Sequence, residues 1–263
     1  MQTYLANVVR HRGLIRQLAT RDFKARHSGS LLGFVWAFAQ PLLTILMYLF
    51  IYSVGFKPMA LGRIPFVLWL ITGIVPWFYF ADALLTAPNS LVEYSYLVKK
   101  VVFDVTLVPA IKLASAAMTH GVVLVAVMLI VAFSGFRPNL YWLQVPYYVA
   151  ATLVLMSGIS LATSSLTVFL RDLNNAIAVS IQFIFWLTPV AWQLGNAPAR
   201  FRWALKLNPL YYLVDGMRDS LLVGRWFWQK PHLSLYFWAI ALGLHVIGYA
   251  LFTRLRPHFA DVL

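Results

Sequence analysis

The sequence predicts an all-α integral membrane protein with six transmembrane helices. Of its 263 residues, 61% are hydrophobic and only 11% are charged, and its mean hydropathy of +0.75 lies far outside the range of soluble globular domains. Six uncharged runs approach or exceed the roughly 20 apolar residues that a helix needs to cross the membrane. None shows the alternation of apolar and polar positions that is typical of a transmembrane β-barrel. The predicted spans are Leu31–Phe56, Ile64–Ala81, Leu113–Phe136, Leu140–Leu170, Leu173–Ala199 and Leu233–Thr253.

Charge and motif content exclude several classes of protein. The chain has no cysteine, so disulfides and thiolate metal sites are excluded. A net charge of +13 would suggest nucleic acid for a soluble protein, but a membrane protein uses such charge to set its topology and to contact anionic lipid or substrate. The sequence contains no phosphate-binding loop and no zinc-protease or serine-hydrolase motif. We therefore expect no catalytic residue, no metal site and no cofactor within this chain, and no nucleic-acid partner.

The distribution of basic residues predicts the topology. Six spans leave both termini on one side of the membrane. Six basic residues precede the first span, whereas only Lys57 and Arg63 follow it before the second. The excess of Lys and Arg on the cytoplasmic side of membrane proteins places both termini in the cytoplasm.

Residues 1–30 are predicted to form an amphipathic helix that lies in the membrane interface. Apolar residues such as Leu5 and Leu18 fall on one half of a helical wheel, and basic residues such as Arg10 and Lys24 fall opposite. Three arginines interrupt the apolar half, but long basic side chains can reach the headgroups. The alternative is a solvated basic tail that only enforces orientation.

Two further segments are too regular for plain linkers. Residues 88–104, the coupling segment, have apolar side chains on one helical face, and a short surface helix there would present its polar groups to another protein; an ordinary amphipathic connector is the alternative. Residues 196–230, the re-entrant segment, mix basic residues with apolar pieces too short to cross. Short helices that dip into the outer leaflet or lie on it fit this composition.

The predicted spans are rich in aromatic residues, which suggests a path for a sugar chain. Aromatic rings can stack on the C–H faces of sugars, and isolated amides can add hydrogen bonds. Membrane proteins also carry many aromatic residues at interfaces and helix contacts, so both interpretations stay open. The candidate path residues are Trp36, Gln40, Tyr48, Tyr52, Gln182 and Trp186.

The eight acidic residues all lie outside the middle of the predicted spans. A transporter coupled to protons or sodium ions normally needs an ionisable or cation-binding group at that depth. If this protein moves a solute, we expect its energy to come from elsewhere.

Several motifs resemble those of one known family. The stretch "RDFKARHSGSLLGFVWAFAQPLL" (21–43) is similar to the start of the first span in permease subunits of ABC-type polysaccharide exporters, the O-antigen, capsule and teichoic-acid group of the ABC-2 class. Further matches are "LVKKVVFDVTLVP" (97–109), "FLRDLNN" (169–175), "LNPLYYLVDGMRDSLL" (207–222) and "RPHFADVL" (256–263). One departure is Asp104, where the family often has proline.

The resemblance implies the ABC-2 exporter fold and a specific assembly. Two copies of this chain would pair with two separate ATP-binding cassette subunits, which would hold ATP and Mg²⁺. The complex would export a lipid-linked polysaccharide across the cytoplasmic (inner) membrane. Residues 1–30 would form a gate helix, 88–104 a coupling helix on the ATPase, and 196–230 re-entrant helices on the far side.

The resemblance also implies roles for individual residues. In the gate helix these are Arg21, Asp22, Lys24 and Arg26, and the candidates for coupling to the ATPase are Glu93, Tyr94, Tyr96, Lys99 and Lys100. Arg200, Arg202 and Arg218 are candidates for contact with an anionic carrier phosphate or anionic lipid, with a plain surface role as the alternative.

Two other functions compete with polysaccharide export. An ABC-2 permease for drugs or lipids would share the fold and the partners. An integral-membrane glycosyl- or acyltransferase would need a constellation of carboxylates or histidines at a membrane face, and the sequence shows none. The sequence does not identify the glycan or its lipid carrier.

Overall fold

The computed structural model describes residues 2–27, 33–54, 64–99 and 103–263, which fold almost entirely into helices. This confirms the all-α prediction. The α-helices are α1 (Gln2–Arg10), α2 (Arg12–His27), α3 (Trp36–Val54), α4 (Phe66–Thr86), α5 (Ser90–Glu93), α6 (Ser95–Val98), α7 (Leu107–Phe133), α8 (Val145–Thr167), α9 (Leu173–Leu187), α10 (Ala199–Lys206), α11 (Pro209–Arg218), α12 (Pro231–Leu255) and α13 (Phe259–Val262).

Each predicted span contains an apolar helix, but the helices differ in length. Among the described residues, four helical stretches are long and apolar enough to cross a membrane, namely Phe66–Thr86, Leu107–Phe133, Leu140–Thr167 and Pro231–Val262. Two shorter apolar stretches, Ala39–Ile51 and Leu173–Leu187, lie in α3 and α9. The protein is therefore a multi-pass membrane protein, and the count of six crossings stays a prediction.

Helix α9 is much shorter than the predicted span, which ran to Ala199. It ends at Leu187, and Thr188 adopts an extended backbone conformation (φ −95°, ψ 127°). Pro189 explains this end, because the residue before a proline is driven out of the helical region and proline lacks the N–H that would continue the helix. The predicted boundary was wrong because it followed apolar composition and not backbone chemistry.

Helix α7 begins earlier than predicted, at Leu107, whereas the apolar run begins at Leu113. Lys112 therefore lies inside the helix although it is charged. Helix α4 likewise continues to Thr86, beyond the predicted end at Ala81, so that Asp82 lies within it. In both cases the helix extends past a charged residue, and the side chain of that residue pairs with other charged groups.

The N-terminal residues form two helices that are separated only at His11. The backbone N–H of His11 donates to Asn7 O (3.0 Å), and that of Ile15 donates to His11 O (3.0 Å), so the chain continues nearly straight. Ile15 and Ala19 pack against α7, and Tyr4 lies against the rings of two α12 residues. Part of the apolar side thus contacts protein.

Helix α4 lies in the centre of the fold and is buried over most of its length. It packs against α7, α8, α9 and α11. Helices α8 and α12 cross very closely at Gly158 and Gly248, where a Cβ added to Gly248 would lie 2.1 Å from the Gly158 carbonyl oxygen. Small residues at such crossings are typical of membrane helix packing.

The crossing of α8 and α12 predicts the effect of an added methyl group. We expect Gly248→Ala to lower the free energy of unfolding by about 1–3 kcal/mol, because the methyl group forces the two backbones apart. The matched control is Gly243→Ala on the same helix, where an added Cβ meets no atom within 4 Å. Thermal unfolding of the purified variants checks this, and equal midpoints for the two variants would contradict it.

Candidate functional site

A buried lysine joins the N-terminal helix to the coupling segment. Lys112 on α7 is only 4% exposed, and its Nζ donates to Asp22 Oδ1 on α2 (2.5 Å) and to Glu93 Oε2 on α5 (2.5 Å). A buried ammonium group without partners would be strongly unfavourable. The two carboxylates compensate its charge, and each comes from a different part of the chain.

Asp22 is the centre of a wider ion-pair network. Besides Lys112, it accepts from Arg26 Nε (3.0 Å) and from the Tyr94 hydroxyl (3.2 Å). Arg26 also donates to Asp82 Oδ1 on α4 (3.2 Å). We name this group the Lys112 cluster; its members are Asp22, Arg26, Asp82, Glu93, Tyr94 and Lys112.

The cluster keeps the Asp22 carboxyl group ionised. Burial by itself would raise the pKa of Asp22. The hydrogen bond from Lys112, together with the positive charges of Arg26 and Lys112, outweighs burial and holds that pKa below its usual range. The ion pairs therefore persist at neutral pH.

The predicted gate and coupling residues divide between two environments. Asp22, Arg26, Glu93 and Tyr94 belong to the Lys112 cluster. On α2, Arg21 and Lys24 are exposed on its outer side. In the coupling segment, Tyr96 is 56% exposed and Lys99 is also exposed, so both are accessible to a partner. Lys100 lies outside the described residues.

A second set of polar contacts ties α1 to the coupling segment. The Asn7 amide donates to the Asp104 carboxylate, which also accepts from the backbone N–H of Thr106 (3.0 Å) just before α7. Arg256, near the C-terminus, lies 3.7 Å from Asp104. Asp104, the one departure from the family motif, thus connects both chain ends to the start of α7.

A cavity of ≈ 470 Å³ lies beside the Lys112 cluster, between α2, α3, α4 and α7. Two of the predicted path residues, Trp36 and Gln40, line it together with Pro41. The cluster contributes Arg26 and Asp82 to the same wall. The structure therefore places part of the predicted path next to the predicted gate.

The remaining path candidates lie elsewhere. The ring of Tyr48 stacks on Phe185 of α9, with 5.3 Å between centroids. Gln182 and Trp186 are exposed on the outer side of α9, where Trp186 is 57% accessible. The side chain of Tyr52 lies outside the described part of the structure.

Arg218 was a candidate for contact with a carrier phosphate or an anionic lipid. The structure instead buries it at the opposite end of α4. Its Nε donates to Trp69 O (3.1 Å), and its Nη1 and Nη2 donate to Pro189 O (2.9 Å) and Val190 O (2.6 Å). The guanidinium also lies 3.5 Å above the Trp69 ring. It passes Gly73 so closely that a Cβ there would lie 2.2 Å from Nη2. Arg218 thus fixes α11 to α4 and to the end of α9.

Arg200 and Arg202, the other two candidate phosphate contacts, are exposed. Arg202 donates to the carbonyl groups of Ala197 (2.8 Å) and Gly195 (2.7 Å), and Arg200 lies over the Phe201 ring. Both remain accessible to a headgroup at the surface of the re-entrant segment.

Sequence reasoning missed Lys112, although a local signal was present. Asp104 and Thr106 are typical of a helix start, and Pro109 fits the first turn of a helix. Together they predict a helix that begins before Lys112 and places this lysine inside it. The partners of Lys112 carry no such signal, because Asp22 and Glu93 are distant in sequence.

Comparison with known proteins gives consistent matches over nearly the whole chain. The family model described as "ABC-2 type transporter" matches residues 13–222. A protein named "O-antigen export system permease protein RfbA" from Klebsiella pneumoniae is 30% identical over 256 residues, covering 95% of each chain. A Myxococcus xanthus protein of the same name is 25% identical over 254 residues, again covering 95% of each chain.

Removal of the central cation should release the N-terminal helix. In Lys112→Met, Asp22 stays buried and, among the residues described, keeps Arg26 as its one cationic partner; the loss of a buried ionic partner costs about 3–5 kcal/mol. The chain has no native cysteine, so Ala19→Cys reports on the buried side of α2. We expect maleimide to label this cysteine roughly tenfold faster or more in the Lys112→Met background, since local opening controls access to it.

The control for this labelling experiment is Gln17→Cys, at an exposed position of the same helix. Its labelling rate should be equal in the two backgrounds. An unchanged rate at position 19 would contradict the assigned role of Lys112.

Proposed function

The chain belongs to the ABC-2 type transporter family, and from this premise we propose that it is the permease subunit of an ATP-driven exporter of lipid-linked polysaccharide. The observation that carries this proposal is the match over 95% of the chain to proteins named O-antigen export permeases. The glycan is therefore of the O-antigen or capsule type. The relatives found favour this function over drug or lipid export by the same fold and over a membrane-bound transferase.

We propose that two copies of the chain form the channel. The outer sides of α3 and α9 carry a series of exposed apolar side chains, among them Leu46, Phe50 and Phe183, which are 50%, 67% and 68% accessible. Exposed apolar surface of this extent marks an interface or a lipid contact. A second copy on these faces would also enclose Gln182 and Trp186, which then line the path between the subunits.

The ATP-binding cassette subunits supply the energy in this proposal, and they hold ATP and Mg²⁺. Their docking surface on this chain is the exposed side of the coupling segment, with Tyr96 and Lys99. The same segment also carries Glu93 and Tyr94, which belong to the Lys112 cluster and contact Lys112 and Asp22. A displacement of the segment by the ATPase therefore acts directly on the ion pairs that hold α2.

The N-terminal helix acts as the gate in this mechanism. Asp22 and Arg26 fix α2 against α7 and α4 beside the cavity. When the coupling segment moves, Glu93 and Tyr94 change the balance of contacts at Lys112 and Asp22. Because the packed interface allows two discrete arrangements more readily than a continuous deformation, a small shift moves α2 as a unit.

We place this end of the molecule at the cytoplasmic face of the inner membrane. The exposed side of α2 carries Arg12, Arg16, Arg21 and Lys24, which suits the anionic headgroups of the cytoplasmic leaflet. Both termini lie at this face. The re-entrant segment, fixed by Arg218, then lies at the extracytoplasmic face, where Arg200 and Arg202 contact lipid or carrier phosphate.

The proposed function is tested by ATP-dependent glycan export. A strain that lacks the gene should accumulate lipid-linked glycan in the cytoplasmic leaflet, and expression of this chain with its ATPase should restore surface glycan. Trp36→Ala should lower the export rate. Restoration of drug resistance without surface glycan would contradict the proposal and support drug export.

Two lysine variants separate docking from transmission. Lys99→Glu should weaken co-purification of the ATPase several-fold, because it reverses an exposed charge at the docking surface. Lys112→Met should leave co-purification unchanged. It should lower the amount of glycan exported per ATP hydrolysed at least about tenfold, because a tenfold change needs only about 1.4 kcal/mol, which is less than the cost of the lost ion pair. Equal effects of both variants on co-purification would contradict this division.

A further inference from the structure

We propose that the cavity beside the Lys112 cluster is a recognition subsite for one or two sugar units of the exported glycan. This inference rests on the proposed function and deepens it, because it assigns a ligand chemistry to a defined place in the chain. The motif at residues 21–43 supplies wall residues that include Arg26, Trp36 and Gln40, but does not reveal the cavity. It is formed by four helices that come together only in the fold.

The dimensions of the cavity fit a small polar ligand. Its volume of ≈ 470 Å³ lies within the range of about 300–1,000 Å³ that is usual for small-molecule sites. One wall carries Trp36, which offers an aromatic surface for the C–H face of a sugar ring. Helices α4 and α7 form the opposite, buried walls.

The polar groups of the cavity suit hydroxyl groups. The wall contains the carboxylate of Asp82, the amide of Gln40 and the hydroxyls of Thr44 and Thr86. Both hydroxyls already donate to helix carbonyl groups, Thr44 to Gln40 O (2.9 Å) and Thr86 to Asp82 O (2.8 Å), so they are left to act as acceptors. A ligand with several O–H groups can donate hydrogen bonds to these acceptors.

Two buried nitrogen atoms at the cavity have no partner among the described residues. One is Nη2 of Arg26, whose Nε and Nη1 hold Asp22 and Asp82. The other is Nδ1 of His120, a side chain that is 7% exposed and lines the cavity. Buried polar atoms nearly always have a hydrogen-bond partner. Both atoms are enclosed by the wall of the cavity, so a polar ligand reaches them only after a small shift of the two side chains.

The charge of the wall decides between ligand classes. Arg26 and Asp82 carry opposite charges, and Asp22 further compensates the guanidinium. A diphosphate group would require uncompensated cations, and these are absent from the described lining. An apolar ligand would leave the amide of Gln40 without water or a hydrogen-bond partner. An uncharged, polyhydroxylated ring meets both conditions.

The subsite adjoins the gate through a shared side chain. Arg26 holds α2 to α4 through the bond from its Nη1 to Asp82, and the same side chain lines the cavity. A sugar bound there therefore contacts the ion-pair network directly. We infer that the cavity selects the sugar that arrives at the cytoplasmic face before the gate moves.

The test uses the complete complex with its ATPase in lipid nanodiscs. The probes are lipid-linked glycan purified from the strain that encodes the protein, and a polyprenyl diphosphate without sugar. The measured quantity is the probe concentration that gives half-maximal stimulation of ATP hydrolysis. The variant is Gln40→Leu/Thr44→Val, which preserves side-chain volume and removes two hydrogen-bonding groups.

We expect the variant to need roughly tenfold more lipid-linked glycan, which corresponds to about two lost hydrogen bonds. Its response to polyprenyl diphosphate should equal that of the unmodified complex. The control, Thr253→Val, removes a hydroxyl that bonds a helix carbonyl in the same way (2.9 Å) but lies on α12, away from the cavity. It should change neither response.

Other results would overturn the inference. An equal shift for both probes would assign the cavity to the carrier headgroup. An unshifted glycan response in the variant would show that the cavity does not bind sugar, although the transporter handles glycan. If the unmodified complex responds to neither probe and exports no glycan, the proposed function fails and the subsite fails with it. Thermal unfolding of each variant confirms that it is folded.

Discussion

The charge of Lys112 is the constraint on which the organisation of one end of the molecule depends. An ammonium group in an apolar helix is tolerated only where carboxylates reach it. Asp22 and Glu93 satisfy this requirement from two segments that are far apart in sequence. The N-terminal helix and the coupling segment are therefore brought to the same place by electrostatics, and the apolar contacts of Ile15 and Ala19 fix their orientation.

At the opposite end of the molecule, the charge of a buried arginine is compensated in a different way. Arg218 meets three backbone carbonyl groups and an aromatic ring, and none of the carboxylates in the described part of the chain contacts it directly. Two of these carbonyl groups, those of Pro189 and Val190, belong to the segment that follows α9, so the guanidinium holds this segment in place. Helix α4 takes part at both ends, through Trp69 and Asp82, which are about 20 Å apart along its axis. It links the two charged sites rigidly.

Composition and periodicity sufficed for the helical class and for the approximate place of every apolar helix. The predicted helix ends were wrong at Lys112 and Asp82, because these charged residues pair with residues that are distant in sequence. They were also wrong at Pro189, where a proline ends the helix within an apolar run. The motifs correctly identified the family. They could not place Arg218, because a buried and an exposed arginine look alike in sequence. The pairing of Asp22 with Lys112 and Glu93 is a property of the fold.

The early end of α9 has a consequence for the passage of the glycan. Fifteen helical residues extend about 22 Å, which is shorter than the roughly 30 Å of hydrocarbon that a spanning helix normally crosses. Such a mismatch is met by local thinning of the bilayer, which brings the aqueous phase closer to the helix end. On the path that we propose along α9, a polymer would thus regain its hydration before it has crossed the full membrane. Fewer sugar rings would then be dehydrated at any moment. The free-energy barrier to sliding would be lower by the dehydration cost of the rings that stay hydrated.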